Sequence, residues 1–216
     1  MINALKLSLS IGTIAIIFNL FFSISLYFIF EKKRKSKKII EFLLTLPIFL
    51  PPSVIGYMLI ISLGINSFIG RIFYRYLDFR FIFSFEGACL AAIIVSLPIL
   101  YQGIKVAFET IDKVYIETAQ CLGVSKFNMI RYVYIPLGYR KILSATILGI
   151  GRAFGEFGAT ILIAGNIPGK TRTLPLALYS AIESGDYSEA NKILIILLIF
   201  STIFLSIYIF VTKKES

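Results

Sequence analysis

The stretch that decides the fold reads Glu-Thr-Ala-Gln-Cys-Leu-Gly at 117–123 and continues to Val-Tyr-Ile-Pro at 133–136. Residues 114–122 favour a helix, which Gly123 interrupts because glycine permits a sharp change of backbone direction. The helical pattern then resumes as far as Pro136. We therefore predict two short helices set at an angle, with small residues that let another protein surface come close. An ordinary surface loop between two membrane helices is the alternative interpretation.

The composition of the chain is typical of a membrane protein. Of the 216 residues, 57% are hydrophobic and 16% are charged, whereas charged residues make up about a quarter of a soluble domain. Long apolar runs indicate a polytopic membrane protein. The net charge of +10 would suggest a nucleic-acid partner in a soluble protein, but most cations lie in short connections beside apolar runs. This distribution fits the positive-inside rule, so we expect no nucleic-acid partner.

The hydrophobic pattern predicts an all-α protein with about five transmembrane helices. The predicted spans are 4–30, 39–63, 87–104, 142–164 and 193–211. The connection 105–141 carries the stretch described above. There is no internal repeat, so we expect a single transmembrane domain over 1–216. Residues 176–184 are also helix-like, and a re-entrant segment is one interpretation of them.

The cations predict the orientation of the chain. Six lie in the run at 32–38, six in the connection 105–141 and two in the tail at 213–214, which makes 14 of the 22. Placing these segments in the cytoplasm puts the N-terminus outside and the C-terminus inside. We interpret the first run as an orientation signal that also contacts anionic membrane lipid, rather than as a substrate site.

Two further segments have an unusual composition. The second span contains Pro47, Pro51 and Pro52, each of which removes a backbone donor and kinks a helix. The freed carbonyls need partners inside the bundle or in a water-lined cavity. The segment 66–85 is rich in aromatic residues and carries three arginines, which predicts a short helix in the outer interface. The arginines either attract an anionic solute or an acidic partner, or extend to the interface as snorkelling side chains.

The fourth span contains charged residues within a small-residue pattern. Gly151, Gly155 and Ala159 predict a face for close helix packing. Arg152 and Glu156 are four residues apart and therefore share one face. Arg152 lies about 15 Å along the helix, where an unpaired charge costs on the order of 3 kcal/mol or more. The pair is either a pathway or gate element, or a buried structural pair or cross-subunit contact. The candidate pathway or gate residues are Arg152, Gly155, Glu156 and Gly158.

Enzymatic chemistry has little support in the sequence. The chain has no histidine and two cysteines, so we predict no metal site and no cofactor. It contains no nucleophile–base pair and no phosphate-binding loop of the G-x-x-x-x-G-K-[ST] type, so we predict no catalytic residues. A secondary transporter remains an alternative, with Glu156 as its one candidate for an ion-binding group.

The stretch at 117–136 resembles the "EAA loop" of ABC importer permeases. Glu117, Ala119, Gly123 and Pro136 match that motif in register, with conservative replacements at three other positions. The resemblance implies a coupling helix that docks into a groove of a cytoplasmic ATPase, which would bind the ATP. The candidate coupling residues are Glu117, Thr118, Ala119, Gly123, Val124 and Pro136.

A more specific resemblance is to molybdate importer permeases. It covers nearly the whole chain and is carried by the proline-rich run 46–57, the coupling loop and the segment 151–175. Sulfate permeases carry a close relative of the last segment. The resemblance implies the ABC type I importer permease fold and a homodimer that works with an ATPase dimer and an extracytoplasmic molybdate-binding protein. It further implies uptake of molybdate and tungstate across a bacterial or archaeal cell membrane, with sulfate or another oxyanion as the alternative cargo.

Overall fold

The computed structural model describes residues 1–30 and 34–213, and within these ranges the protein is helical, without strands. Eleven α-helices follow one another, with a π-turn at Ile130–Tyr134 between α7 and α8. The helices are α1 Ile2–Phe30, α2 Arg34–Phe49, α3 Pro52–Leu63, α4 Phe68–Leu77, α5 Phe85–Glu109, α6 Lys113–Cys121, α7 Lys126–Met129, α8 Ile135–Phe154, α9 Gly158–Ala164, α10 Leu174–Glu183 and α11 Tyr187–Thr212.

Three helices, α1, α5 and α11, are each long and apolar enough to cross a membrane. Two bent pairs, α2 with α3 and α8 with α9, bring the number of spans to five if each pair counts as one. The predicted number of spans and the all-α class are therefore confirmed. The ends differ from the predictions, because α5 and α8 extend into the connection that the sequence assigned to 105–141.

Helix α5 lies at the centre of the bundle and packs against α1, α2, α8 and α9. Its small residues Ala88, Ala91 and Ala92 are at most 1% exposed, which lets the neighbouring helices come close. Gly103 touches Ala145 of α8 so closely that a side chain would not fit between the two helices. Pro98 lies within α5 without ending it. These small residues form the packing face of α5.

The second span is not one kinked helix, as the sequence predicted, but two helices. Helix α2 ends at Phe49 and α3 begins at Pro52, with a bend of 118° between their axes. Pro47 lies inside α2, so the break is at the pair Pro51 and Pro52. Pro51 and Pro52 are adjacent and both lack a backbone donor, which explains why the helix ends there, whereas the single Pro47 is tolerated inside α2.

Helix α4 lies at the end of α5 opposite to α6, because α5 begins beside α4 and rises about 38 Å over its 25 residues. Ser67 caps α4 by accepting a hydrogen bond from the Gly70 N–H at 2.8 Å. Gly70 is buried against the carbonyl of Gly64, which fixes α4 across the end of α3. The apolar side chain of Phe68 is 76% exposed. The short amphipathic helix predicted from the aromatic segment therefore exists.

The ends of the chain complete the bundle. Helix α10, which the sequence indicated at 176–184, begins at Leu174, where the backbone N–H donates to the Ser8 hydroxyl at 2.8 Å. Helix α11 packs on α8 and α10 and leaves most of its surface exposed, as a lipid-facing helix does. Lys32, Lys33 and Lys214 of the basic segments lie outside the described residues.

Candidate functional site

Helix α6 is the element that the sequence singled out for docking. Asp112 caps its start, since its carboxylate accepts a hydrogen bond from the Val114 N–H at 3.0 Å. Glu117 and Thr118 are exposed, and Ala119 is buried against the rest of the chain. The helix therefore presents its acidic and hydroxyl side chains outward while its small residue seats it on the bundle.

Gly123 ends α6 with a left-handed backbone. Its φ is +71°, and the Val124 N–H donates back to the Ala119 carbonyl at 3.1 Å. This is the hydrogen-bond pattern with which a glycine commonly closes a helix. A Cβ atom added at Gly123 would meet nothing within 4 Å, so the backbone angle and not space requires glycine here.

Residues 126–136, the second half of the predicted docking element, do not form a separate short helix as predicted. The helix does not stop at Pro136 but runs from Lys126 through a π-turn into α8, with Pro136 in the first turn of α8. In the π-turn the Ile135 N–H donates to the Ile130 carbonyl, five residues back. The wider turn lets a residue without an N–H enter the helix, because a π-turn relaxes the regular four-residue ladder. The long span thus begins within the loop.

The surface around Gly123 exposes large apolar side chains. Leu122 is 78% exposed and Phe127 is 69% exposed, and Tyr115 and Tyr132 are also more than half exposed. Lys126 and Arg131 lie among them and are exposed as well. An apolar surface ringed by cations is typical of a protein–protein contact. Val124 is half-buried beneath it.

The fourth span is also broken, which corrects the prediction of one continuous helix over 142–164. Helix α8 ends at Phe154, and α9 begins at Gly158 after a bend of 55°. Gly155 is exposed, whereas Ala159 is fully buried on the other side of the break. The small residues therefore do not extend one face by another turn.

Arg152 and Glu156 form the ion pair that their spacing predicted. The Arg152 Nη1 lies 2.7 Å from the Glu156 Oε2, with the arginine 30% and the glutamate 2% exposed. The other carboxylate oxygen accepts a hydrogen bond from the Ala159 N–H at 2.8 Å. Glu156 therefore joins the end of α8 to the first turn of α9, although it lies in the break and not on a continuous helix.

The two broken spans meet at their breaks. A Cβ atom at Gly158 would lie 3.0 Å from the Cβ of Pro52, and one at Gly56 would lie 2.9 Å from the Cα of Ala159. Helix α3 therefore packs closely along α9. Neither the close approach of Gly56 to α9 nor the contact of Gly158 with Pro52 was predicted from the sequence. A glycine one turn after a proline pair was the available signal, but it does not name the partner helix.

Gly151 and Gly155 lie on a surface that no other helix covers within the described part of the chain. A Cβ atom at Gly151 would meet nothing within 4 Å, and one at Gly155 would meet only the Gly151 carbonyl of its own helix. Of the four pathway candidates, the structure thus brings Arg152 and Glu156 together, places Gly158 against the second span and leaves Gly155 open.

A polar contact between α2 and α5 was missing from the sequence analysis. The Lys105 Nζ lies 2.9 Å from the Glu41 Oε1, and both side chains are about one-fifth exposed. One turn away the Gln102 Nε2 donates to the Thr45 Oγ1 at 2.9 Å. These partners are about 60 residues apart in sequence, so no local pattern pairs them.

Comparison with known proteins places this geometry in a family. Residues 19–213 match the family model described as "Binding-protein-dependent transport system inner membrane component". The chain is similar to the molybdenum transport system permease protein ModB of Haemophilus influenzae, with 34% identity over 99% of this chain and 94% of that protein. It is 37% identical to the protein of the same name from Escherichia coli K12, over 90% of this chain and 86% of the relative.

A more distant relative is the sulfate transport system permease protein CysT of Salmonella typhimurium. It is 29% identical over 94% of this chain and 74% of that protein. The family match covers α6 and α7, both broken spans and the last helix. The chain therefore belongs to the family of inner membrane components of binding-protein-dependent transport systems, as a multi-pass ABC importer permease of the molybdenum transport type.

Proposed function

We propose that this chain is the permease subunit of an ATP-driven importer that takes up molybdate, and tungstate as well. The observation that carries the proposal is the similarity to the Haemophilus molybdenum permease, which covers 99% of this chain and 94% of the relative. The sulfate permease of Salmonella is less similar and is matched over only 74% of its length. Molybdate is therefore the favoured cargo, with sulfate or another oxyanion as the alternative.

The working assembly contains two copies of this chain, two ATPase subunits and one extracytoplasmic binding protein. The uncovered surface at Gly151 and Gly155 supports a second copy, because close helix packing in membranes uses such small residues. All of 1–216 then forms one transmembrane domain set in lipid. The charge distribution supports an N-terminus outside and a C-terminus in the cytoplasm.

Helix α6 docks on the ATPase. This docking is supported by the exposed apolar surface around Leu122 and Phe127, because an apolar patch outside the membrane is typical of a protein contact. Five of the six candidate coupling residues lie in α6 or directly after it, with Ala119 and Gly123 setting its shape, and Pro136 lies in the first turn of α8. ATP binding closes the ATPase dimer and draws the two docked helices together. The chain itself carries out no chemical step and holds no cofactor.

Movement of α6 reaches the membrane through rigid elements. The helical segment from Lys126 to Phe154 begins beside α6 and ends at the Arg152–Glu156 pair. One rigid element therefore connects the docking surface to the break between α8 and α9. The break between α8 and α9 provides a hinge at which the outer half of the fourth span moves against its inner half, while the α2–α3 break stays rigid beside it. Transport is then a shift between inward-open and outward-open states, with Arg152, Gly155, Glu156 and Gly158 at the gate.

The decisive experiment measures ATP hydrolysis by the permease reconstituted in liposomes with its ATPase and binding protein. We expect stimulation by molybdate and tungstate at low concentration, with sulfate inert. Stimulation by sulfate alone would keep the importer and change the cargo. Uptake that survives ATP depletion and follows a proton gradient would instead favour a secondary transporter, and this would contradict the proposal.

A further inference from the structure

A groove at the α4 end of the bundle has no role in the proposed transport cycle. It has a volume of about 810 Å³ and lies between the end of α3, the start of α4 and the chain at 79–84. Its walls include Ile60, Leu63, Ile65 and Ile82. Ile61 at its edge is 58% exposed, so the groove continues into an apolar surface.

The rim of the groove is positively charged. Arg80 and Lys170 both line it and both are exposed, and within the described residues no carboxylate lines it. Arg80 is held in place, because its Nη2 donates to the Tyr74 hydroxyl at 3.0 Å and its guanidinium lies 4.7 Å from the centre of that ring. A fixed arginine beside a lysine is suited to a phosphate.

The position of the groove determines which phosphate compound fits. Helix α4 crosses the end of α3 with Phe68 and Tyr76 each 76% exposed, as expected of a helix in the membrane interface. A soluble oxyanion would find cations at the rim but mostly apolar walls, with Asn66, Ser67 and Ser84 as the polar exceptions. An amphiphile with one negative charge would satisfy both regions at once.

We propose that this groove binds one anionic phospholipid, with its phosphate between Arg80 and Lys170 and one acyl chain along Ile60, Ile61 and Leu63. The lipid fixes α4 against the end of α3. This proposal does not depend on which solute the importer carries. It also gives Arg80 a role on the side of the membrane where the positive-inside rule predicts few cations.

The test compares lipid retention by the purified importer, released from nanodiscs and observed by native mass spectrometry. The nanodiscs contain phosphatidylglycerol and phosphatidylcholine with identical acyl chains in equal amounts. We expect phosphatidylglycerol to be retained in preference, and the double variant R80Q/K170Q to lose that preference. The expected loss is roughly fivefold per charge, or about 25-fold for both.

The matched control is R75Q/K192Q, which removes one arginine and one lysine that are exposed and do not line the groove. It has the same net charge as the test variant and should retain phosphatidylglycerol like the wild type. Equal loss in both variants would reduce the effect to net charge and overturn the proposal. Equal retention of both lipids by the wild-type protein would overturn it as well.

A second copy of the chain is the competing occupant of the groove. Ile61→Cys in a Cys121→Ser background places an exposed thiol at the edge of the groove. If a lipid fills the groove, mild oxidation should leave this variant without cross-links between the two permease copies. An efficient disulfide between two copies would show that protein covers the surface, and it would overturn the lipid assignment.

Discussion

The two broken spans bend for different chemical reasons. Between α2 and α3, Pro51 and Pro52 lack backbone donors, so the break follows from the covalent structure of the chain. Between α8 and α9, Gly155 permits a break but does not require one. That bend is held by Glu156, whose carboxylate binds both the Arg152 side chain and the Ala159 N–H. One break is therefore encoded locally, and the other depends on side-chain contacts.

The difference matters because the two breaks touch. Gly158 lies against Pro52, so the proline-encoded break offers a fixed surface on which the glycine-permitted break rests. We infer that the α2–α3 break is the rigid partner and that the α8–α9 break is the one able to change during transport. Substitutions at the two places should consequently have unequal effects.

The largest effect is expected from Glu156→Leu. This variant leaves the Arg152 guanidinium without its partner and the Ala159 N–H without an acceptor. We expect a loss of about 3 kcal/mol in the free energy of unfolding, as for other buried pairs that lose one member. Thermal unfolding of the permease in detergent measures it.

Glu156→Gln is the matched control, since an amide oxygen can still accept from the Ala159 N–H. We expect it to lose about 1 to 2 kcal/mol, the contribution of the charge. If both variants unfolded like the wild type, the carboxylate would not hold the break.

A smaller effect is expected from Gly158→Val, which presses the two breaks apart. Its Cβ would lie 3.0 Å from that of Pro52, and the added methyl groups require further displacement. We expect a loss of about 2 kcal/mol in the free energy of unfolding, typical of an overpacked core, together with slower uptake. Chemical denaturation and a transport assay measure the two effects.

Gly151→Ala provides the control for that variant within the same span. A Cβ atom at Gly151 has open space in this chain, and alanine favours helix over glycine. We expect stability unchanged or raised by up to about 1 kcal/mol. If this variant also stopped two copies from associating, Gly151 would lie in the dimer contact; a large loss of monomer stability would contradict the geometry.

The hydrophobic pattern, small residues and the spacing of charges made much of this fold predictable. The all-α class, the five spans and the close packing of α5 follow from apolar runs and small residues that can be read along the chain. The ion pair of Arg152 with Glu156 followed from their spacing of four residues. Local patterns were sufficient where the whole signal lies within one short segment of the chain.

Other features depended on partners that lie far away in the sequence. The break at 155–157 needs the N–H of Ala159 and the contact with Pro52, so the glycine pattern alone predicted a continuous helix. Pro136 was expected to end a helix, but the π-turn before it allows the helix to continue. The contact of Lys105 with Glu41 joins two spans and has no local signal.

Gly123 represents a third kind of break, in which the residue type is restricted by the backbone angle alone. Its φ is +71° and a side chain would have open space around it. Gly123→Val should cost about 1 kcal/mol, since a β-branched residue adopts this conformation poorly, whereas Gly123→Asn should cost less. We expect the valine variant to insert into the membrane but to lose cargo-stimulated ATP hydrolysis in the reconstituted importer. Normal stimulation would contradict the docking role of α6.

The most direct test of the comparison comes from replacing the residues that break each span. Pro51→Ala with Pro52→Ala restores two donors and should let α2 and α3 straighten. Spin labels at the exposed positions Phe42 and Ile61 would then move towards about 29 Å apart, the value for a continuous helix at 1.5 Å per residue.

Gly155→Ala should leave the 55° bend of α8 and α9 in place, because Glu156 still holds it. Spin labels at Leu148 and Leu162, both exposed, report this bend through the distance between them. Pulsed electron paramagnetic resonance measures the distances in both variants. The variant at 155 should keep its stability within about 1 kcal/mol, the usual range for a glycine exchange that the fold accommodates, whereas straightening α2 and α3 would also separate α3 from α9. If the alanine at 155 straightened its span while the proline variant stayed bent, the assignment of local and tertiary causes would be reversed. The α8–α9 break would then be the rigid partner, and the moving gate would lie between α2 and α3.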